Sequence, residues 1–441
     1  MKLKRRSLLV GSAAVAGLGA MRSIGMSAEA TKEFPANFLW AAATSGHQTE
    51  GNNTNSDIWF LEHLQPTVFA EPSGDACNSL LMWETDLKLA KEMGLNSYRF
   101  SIEWARIEPE PGEFSIAMLA YYRQRIERCK TMGIVPMVTF NHFVTPRWFA
   151  ADGGWTNPKA PERFANYCHT AAQHLAEHIG YAITLNEPNL MALLTYKGGL
   201  PDFILKKQAA MLQAAADELG VEKFSSANAL NMDDYPTVKK HMLKGHRLAF
   251  AAIKSVRPDL PVGVSLAIND DQAIAGGEAL RDKKRKALYV DWLESARQDD
   301  FIGVQNYERS LFGPEGDLPP PKDAVMGLMG KEVYPASLAN AVEYAYQQTN
   351  RPVLVTEHGV ATDEDDIRCW LIPEALKALH EKLAMGVPVL GYTHWSLIDN
   401  FEWVFGYAPK FGLHSVDRTT FKRTPKESAH IFGSIAKRNA V

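Results

Sequence analysis

Eight short runs of β-forming residues, each followed by a longer amphipathic stretch, constrain this chain more than any other feature of its sequence. The runs are Phe38–Thr44, Asn96–Ile102, Ile134–Phe140, Tyr181–Asn186, Pro261–Ala267, Asp300–Gln305, Pro352–Glu357 and Val389–Trp395. Between them, apolar residues recur at helical spacing in Trp83–Met93, Tyr121–Met132, Pro161–Ile179, Lys239–Val256, Ser337–Gln348 and Pro373–Met385. Strands alternating with helices read as parallel βα units. Eight such units predict a single (β/α)8 TIM barrel with elaborated loops at the carboxyl-end face of the strands. Gly94, Gly133 and Gly180 stand just ahead of strands, where they can serve as left-handed helix C-caps. No Gly/Ser/Pro-rich linker, low-complexity tract or internal repeat divides the sequence. The stretch from Tyr196 to Thr237 is expected above the barrel as loops and short helices.

Residues 1–30 are set apart from this pattern. Lys2, Lys4, Arg5 and Arg6 precede a short apolar stretch from Leu8 to Ala20, and Ala28-Glu29-Ala30 is a small-residue cleavage site. The apolar stretch is too short to span a bilayer. Arg5-Arg6 followed by Ser7-Leu8-Leu9 reads as a twin-arginine export signal, with an ordinary secretory signal as the alternative. Either places the remaining 31–441 domain in the periplasm or outside the cell. That segment holds five of the 47 Lys and Arg and one of the 51 Asp and Glu, so the mature chain carries a net charge of −8. An acidic chain with no sustained basic stripe excludes nucleic acid as a partner, and no later segment has the length to anchor it in a membrane. Cys77, Cys129, Cys168 and Cys369 show no disulfide framework and read as buried thiols.

Two ionisable residues fall where the pattern makes them informative. The fourth run closes with Thr184-Leu185-Asn186-Glu187-Pro188 and the seventh with Val355-Thr356-Glu357-His358-Gly359. In a parallel barrel, the carboxyl ends of the strands converge on one mouth. Two carboxyls across such a mouth can flank a glycosidic bond, one attacking the anomeric carbon while the other protonates the leaving oxygen. Either Glu by itself reads better as a polar strand end meeting solvent.

The surrounding residues carry a resemblance over essentially the whole mature length. Phe34-Pro-Ala-Asn-Phe-Leu-Trp40, Gln48 with Glu50-Gly51, Tyr98-Arg-Phe-Ser-Ile-Glu-Trp104, Asn186-Glu187-Pro188, Thr356-Glu357-x-Gly359 and Trp395-Ser-Leu-Ile-Asp-Asn-Phe-Glu-Trp403 occur in order, followed by Gly406-Tyr407 and Phe411-Gly412-Leu413. This series resembles family 1 of the glycoside hydrolases, the β-glucosidase family. The resemblance implies a retaining, exo-acting β-glycosidase of glucosidase or galactosidase type, acting by double displacement on a small carbohydrate or glycoside. It implies Glu187 as acid/base, Glu357 as nucleophile, Arg99 lowering the pKa of Glu357, and Tyr307 hydrogen-bonded to the same carboxylate. Asn186 would meet the sugar 2-hydroxyl, and Gln48, His142, Trp395, Glu402 and Trp403 would form the sugar pocket. No cofactor and no metal is implied. His47, Phe143 and His358 stand where Tyr, Trp and Asn are usual, and Gln305-Asn306 replaces Asn-Tyr ahead of Tyr307. Lys197-Gly198-Gly199-Leu200-Pro201 occupies the place of the family's Ala-Pro-Gly loop. These departures bear on the sugar preference and the leaving-group side. Oligomeric state is not encoded in the motifs.

Two other readings use the same residues differently. A barrel that binds carbohydrate without cleaving it would keep the pocket, although both carboxylates, Arg99 and Tyr307 argue for turnover. A zinc-dependent hydrolase would use His174-Leu175-Ala176-Glu177-His178, whose histidines could share a metal from one helix. Phe164, Cys168, Ala171, Ala172, Leu175 and Ile179 instead mark that helix as a buried stripe away from the mouth.

Overall fold

Residues 32–441 are described by the computed structural model, and residues 1–30, read from the sequence as an export signal, lie outside them. Eight parallel strands close a barrel: β1 Leu39–Ala43, β2 Ser97–Ser101, β3 Val135–Asn141, β4 Tyr181–Asn186, β5 Val262–Ala267, β6 Phe301–Asn306, β7 Val353–His358 and β8 Val389–Trp395. Neighbours around the ring follow chain order, and β8 closes onto β1 by pairing Leu39 with Gly391 through Ala43 with Trp395. All eight runs expected from the sequence form these strands.

Alternation along each strand sorts side chains between two apolar regions. Leu39, Met137, Ile183, Phe301 and Leu354 fill the barrel interior below the mouth. Burying each of these is worth about 1.5–3 kcal/mol, so the floor is a packed plug. Intervening residues such as Val264, Val304, Val355 and Tyr392 face outward into the main core under the helices, with Ala341, Leu376 and Phe432. The surrounding helices include Ser79–Glu92, Ile116–Thr131, Ala160–Leu175, Tyr235–Val256, Ala336–Thr349, Asp365–Ala384 and Glu427–Arg438.

Several local expectations change. Gly94 and Gly133 have φ of 84° and 68°, the left-handed geometry expected of C-caps. Gly180 is not among the positive-φ glycines; there a Cβ would lie 2.3 Å from Val135 Cγ1, so close packing is what requires glycine. The stretch from Tyr196 to Thr237 contains the 18-residue helix Asp202–Leu219 and not only short ones. Its Met211, Leu212, Ala215 and Ala216 pack with Ile58, Leu61, Phe69 and Phe401 in a second core beside the mouth. Cys77, Cys129 and Cys168 are buried free thiols, whereas Cys369 is free but only half-buried.

The loops at the carboxyl ends are the long ones. Those after β5 and β6 supply Asp270–Ala273, Arg309–Gly313 and Gly316–Leu318, which form a three-stranded sheet of their own. Among the described residues, no helix is long and apolar enough to cross a membrane.

Candidate active site

Glu357 is the penultimate residue of β7, and Glu187 follows β4 directly with φ of 42°. A left-handed backbone is costly for a side chain of this size and is characteristic of functional positions. The Glu187 amide is anchored to the neighbouring strand β5 by donating to Ser265 O at 2.8 Å. Both carboxylates are nearly enclosed, Glu187 at 7% and Glu357 at 4% exposure.

Their surroundings differ sharply. Glu357 Oε1 accepts from Arg99 at 2.5 Å and from Gln305 Nε2 at 3.0 Å, while Oε2 accepts from Tyr307 Oη at 2.6 Å. Among the described residues, no hydrogen bond to the Glu187 carboxyl is formed. Burial raises both pKa values. At Glu357 the Arg99 charge and the hydrogen bonds of Tyr307, Arg99 and Gln305 oppose burial. They restrain the rise without reversing it, so Arg99 acts in the direction expected but does not bring the pKa below its ordinary value. Glu187 lies well above the carboxylate range, first through burial and then through the Glu357 charge, with Arg99 opposing and Glu402 adding. The donors around Glu357 and their lack around Glu187 favour the charge on Glu357 and the proton on Glu187.

Arg99 projects inward from β2 and joins the two sides of the site. Its second terminal nitrogen donates to Asn186 Oδ1 at 2.5 Å, and Nε donates to Thr139 Oγ1 at 3.2 Å. Asn186 Oδ1 also accepts from Gln305 Nε2 at 2.7 Å, and its Nδ2 lies 3.3 Å from His142 Nε2. Burial and the Arg99 charge push His142 well below its ordinary pKa, so its neutral ring accepts here. The His142 ring lies nearly parallel to Trp395 at 5.6 Å and 17°, and to Trp403 at 6.0 Å and 14°. Glu402 and Trp403 are half-buried at the opening. Burial, aided by the Glu357 charge, pushes Glu402 up to about 8.

Gln48 is fully buried, and its amide is already engaged within the protein. Nε2 donates to Phe401 O at 2.7 Å, Asn400 Oδ1 at 3.2 Å and Glu402 Oε2 at 3.4 Å. It braces the loop that carries Glu402 and Trp403.

Strand alternation separates the departures in this sequence. Gln305 points into the site, and its Oε1 is a buried acceptor without a partner. The neighbouring Asn306 points outward, where it donates to Ile268 O and accepts from Ser337 Oγ. His358 likewise lies behind the wall, bonded to Tyr392 Oη at 2.9 Å and kept neutral by burial, which lowers it to about 3. Phe143, with φ of 68°, lines an apolar recess with Leu190, Met191 and Leu230 beside Glu187. Gln305 was noted in the sequence only as a departure. Its inward register at the end of β6, beside Tyr307, was the signal available.

The zinc arrangement does not form. The α-helix ends at Leu175 and Ala176–His178 is a 3-10 turn, so His174 and His178 are not one α-helical turn apart. His178 faces Lys130 at 3.3 Å. Among the described residues, no group of three His, Cys, Asp or Glu side chains could hold a metal ion.

The sequence matches the family model for glycosyl hydrolase family 1 over residues 30–272 and 321–441. Beta-glucosidase A of Thermotoga maritima is 28% identical, with 93% of this chain and 99% of that protein aligned. The beta-glucosidase of an Agrobacterium species is 28% identical over 91% of this chain and 95% of its own. Among solved structures, the apo structure of a beta-glucosidase 1317 matches with a TM-score of 0.86 and 39% identity, covering 91% and 98% of the two chains. The crystal structure of beta-glycosidase BGL167 gives 0.85 and 44%, covering 92% and 98%. The stretch outside the family match, 273–320, contains β6 with Gln305, which nevertheless takes its place in the closed barrel. A paired-carboxylate mouth on this barrel, with the family match running through both carboxylates, places the chain in glycosyl hydrolase family 1 as an O-glycosyl hydrolase.

Proposed function

We propose that Glu357 is the nucleophile and Glu187 the acid/base of an exo-acting enzyme that cleaves β-glucosides or β-galactosides by double displacement. The enzyme is a retaining β-glycosidase. The observation that carries the role assignment is the unequal hydrogen bonding of the two carboxyls. Arg99, Tyr307 and Gln305 donate to Glu357, which favours the ionised form a nucleophile needs. Glu187 has none of these donors and keeps the proton a leaving oxygen needs. Attack by Glu357 on the anomeric carbon, with proton transfer from Glu187, forms a glycosyl ester and frees the aglycone. Glu187, now ionised beside an esterified neighbour, then takes a proton from water as that water attacks the same carbon. Each displacement inverts the centre, so the β configuration is restored.

Asn186, with Arg99 and Gln305 on its Oδ1, is suited to fix the amide that meets the 2-hydroxyl. His142, Trp395, Glu402 and Trp403 offer flat rings and a carboxyl to a pyranose with vicinal hydroxyls. Gln48 supports this pocket from behind. A panel of aryl β-glycosides followed by proton NMR tests the reading, with β-glucose or β-galactose appearing before mutarotation. Initial release of the α-anomer, or binding without phenol release, would refute it.

Gln305→Ala removes one donor to Glu357 and one to Asn186. It is expected to lower kcat/KM on an aryl β-glucoside by about 10- to 100-fold, the scale of hydrogen bonds to charged groups. An unchanged kcat/KM would show that Gln305 only fills space.

We further propose that residues 1–30 direct export through the twin-arginine route. The support is the basic start, the Arg5-Arg6 pair and the small-residue cleavage site ending at Ala30. Replacing both arginines by lysine is expected to retain the enzyme in the cytoplasm, as measured by fractionated activity. Undiminished export of that variant would leave the ordinary secretory route.

A further inference from the structure

We propose that His47 is a positioning residue for Trp403, clamped by Glu62 so that its imidazole lies flat along the indole and fixes the tilt of the ring offered to the sugar. The inference rests on the assignment of Trp403 to the sugar pocket. His47 sits on the short helix Gly46–Glu50 that leaves β1, next to Gln48, which braces Glu402. Two adjacent residues thus support the two half-buried residues at the mouth. The rings of His47 and Trp403 are 5.9 Å apart and within 6° of parallel, an offset stack. Trp403 itself has a left-handed φ of 51° and begins only a three-residue turn, so its own backbone element is short. Ring packing by His47, His142 and Phe143 surrounds its indole.

The clamp on His47 is equally specific. Nε2 meets Glu62 Oε1 at 2.9 Å, and Glu62 Oε2 is held by the Ser73 amide at 2.9 Å and hydroxyl at 2.7 Å. The charged groups facing His47 are Glu62 and Asp57 from the helix Asp57–Glu62 and Glu103 from beyond β2. Asn53 stands between His47 and Glu103, its Nδ2 donating to Glu103 Oε2 at 2.9 Å and lying 3.4 Å from His47 Nδ1, a contact that suits the neutral ring and that must turn away when His47 takes its second proton. Phe401 and Trp403 present uncharged rings. Burial is the largest single influence and lowers the pKa of His47, yet the three carboxylates together leave it above 6.5. A cationic ring stacked on indole is more strongly held than a neutral one. The charged stack is complete below the raised pKa of His47 and is lost as pH climbs through it.

Steady-state kinetics with 4-nitrophenyl β-D-glucoside test the proposal, with thermal melting to check each fold. Glu62→Gln is expected to raise KM at pH 6, below the raised pKa of His47, by about 3- to 30-fold, the range of a cation–π contact, with kcat within about twofold. It should also move the alkaline rise in KM to lower pH. His47→Ala should raise KM similarly, and His47→Tyr should restore it while removing that pH dependence. If Trp403→Ala raises KM but the Glu62 and His47 variants keep the parent KM and pH profile, the positioning role is wrong and the pocket assignment stands. If Trp403→Ala leaves KM unchanged, the pocket assignment itself fails and the inference falls with it.

Discussion

Glu357→Ala is expected to abolish turnover with every leaving group, lowering kcat by at least about 10⁵-fold. The size follows from the mechanism. Without Glu357 no covalent glycosyl-enzyme forms, and improving the leaving group cannot replace a missing nucleophile. The variant also leaves Arg99 buried with its ionic partner removed, a change that costs about 3–5 kcal/mol in comparable sites. Melting must therefore be followed together with rate, so that loss of chemistry is separated from loss of fold. Azide supplied with a dinitrophenyl glycoside can enter the vacated space and attack directly. A single displacement then yields the α-glycosyl azide. Retained activity above about 1% of the parent would show that another group attacks the sugar.

Glu187→Gln is expected to divide substrates by leaving group. A poor leaving group requires the proton of Glu187, so its first step should slow by about 10²- to 10⁴-fold, the usual contribution of a general acid. Dinitrophenolate needs little protonation and should still leave, giving a burst of one equivalent. Hydrolysis of the intermediate then stalls because no base activates water. Azide needs no base and should release the sugar as the β-glycosyl azide, opposite in configuration to the product from the Glu357 variant. The pH profile carries a matching signature. Glu187 has a raised pKa and must be protonated for the first step, so kcat/KM on poor leaving groups is full below that pKa and falls as pH rises through it. The Gln variant should lack this alkaline limb. Equal slowing of good and poor leaving groups, with no azide effect, would remove Glu187 from the acid/base role.

The barrel was legible because its signal is local and repeated. Each strand is a short run of β-forming residues, and burial on both faces demands no other pattern. The helix Asp202–Leu219 was also encoded, with Asp202 in its first turn and Gly220 at a left-handed φ of 63° after its end. It belongs to no βα repeat and buries only a narrow stripe, so the repeating pattern of the barrel does not reveal it. Glu187 and Glu357 stood out as strand-end carboxyls, but the ordered motifs around them, and not their position alone, singled them out. Gln305 and His47 were visible only as unusual residues. What each does depends on partners far along the chain: Asn186 and Glu357 for Gln305, Glu62 and Trp403 for His47. Such distances are set by barrel closure. The outward positions of Asn306 and His358 follow from alternation once the register is known.

The central claim is that Glu357 forms a bond to the sugar, and a trapped intermediate tests it most directly. A 2-deoxy-2-fluoro-β-glucoside of dinitrophenol slows both displacements by withdrawing electrons from the anomeric centre, while its leaving group keeps the first one accessible. Intact-protein mass spectrometry after incubation should show one added fluoroglycosyl group per chain, with one equivalent of phenol released. Proteolysis and fragmentation should place that group on Glu357. An adduct on Glu187, or phenol release with no adduct on Glu357, would contradict the account.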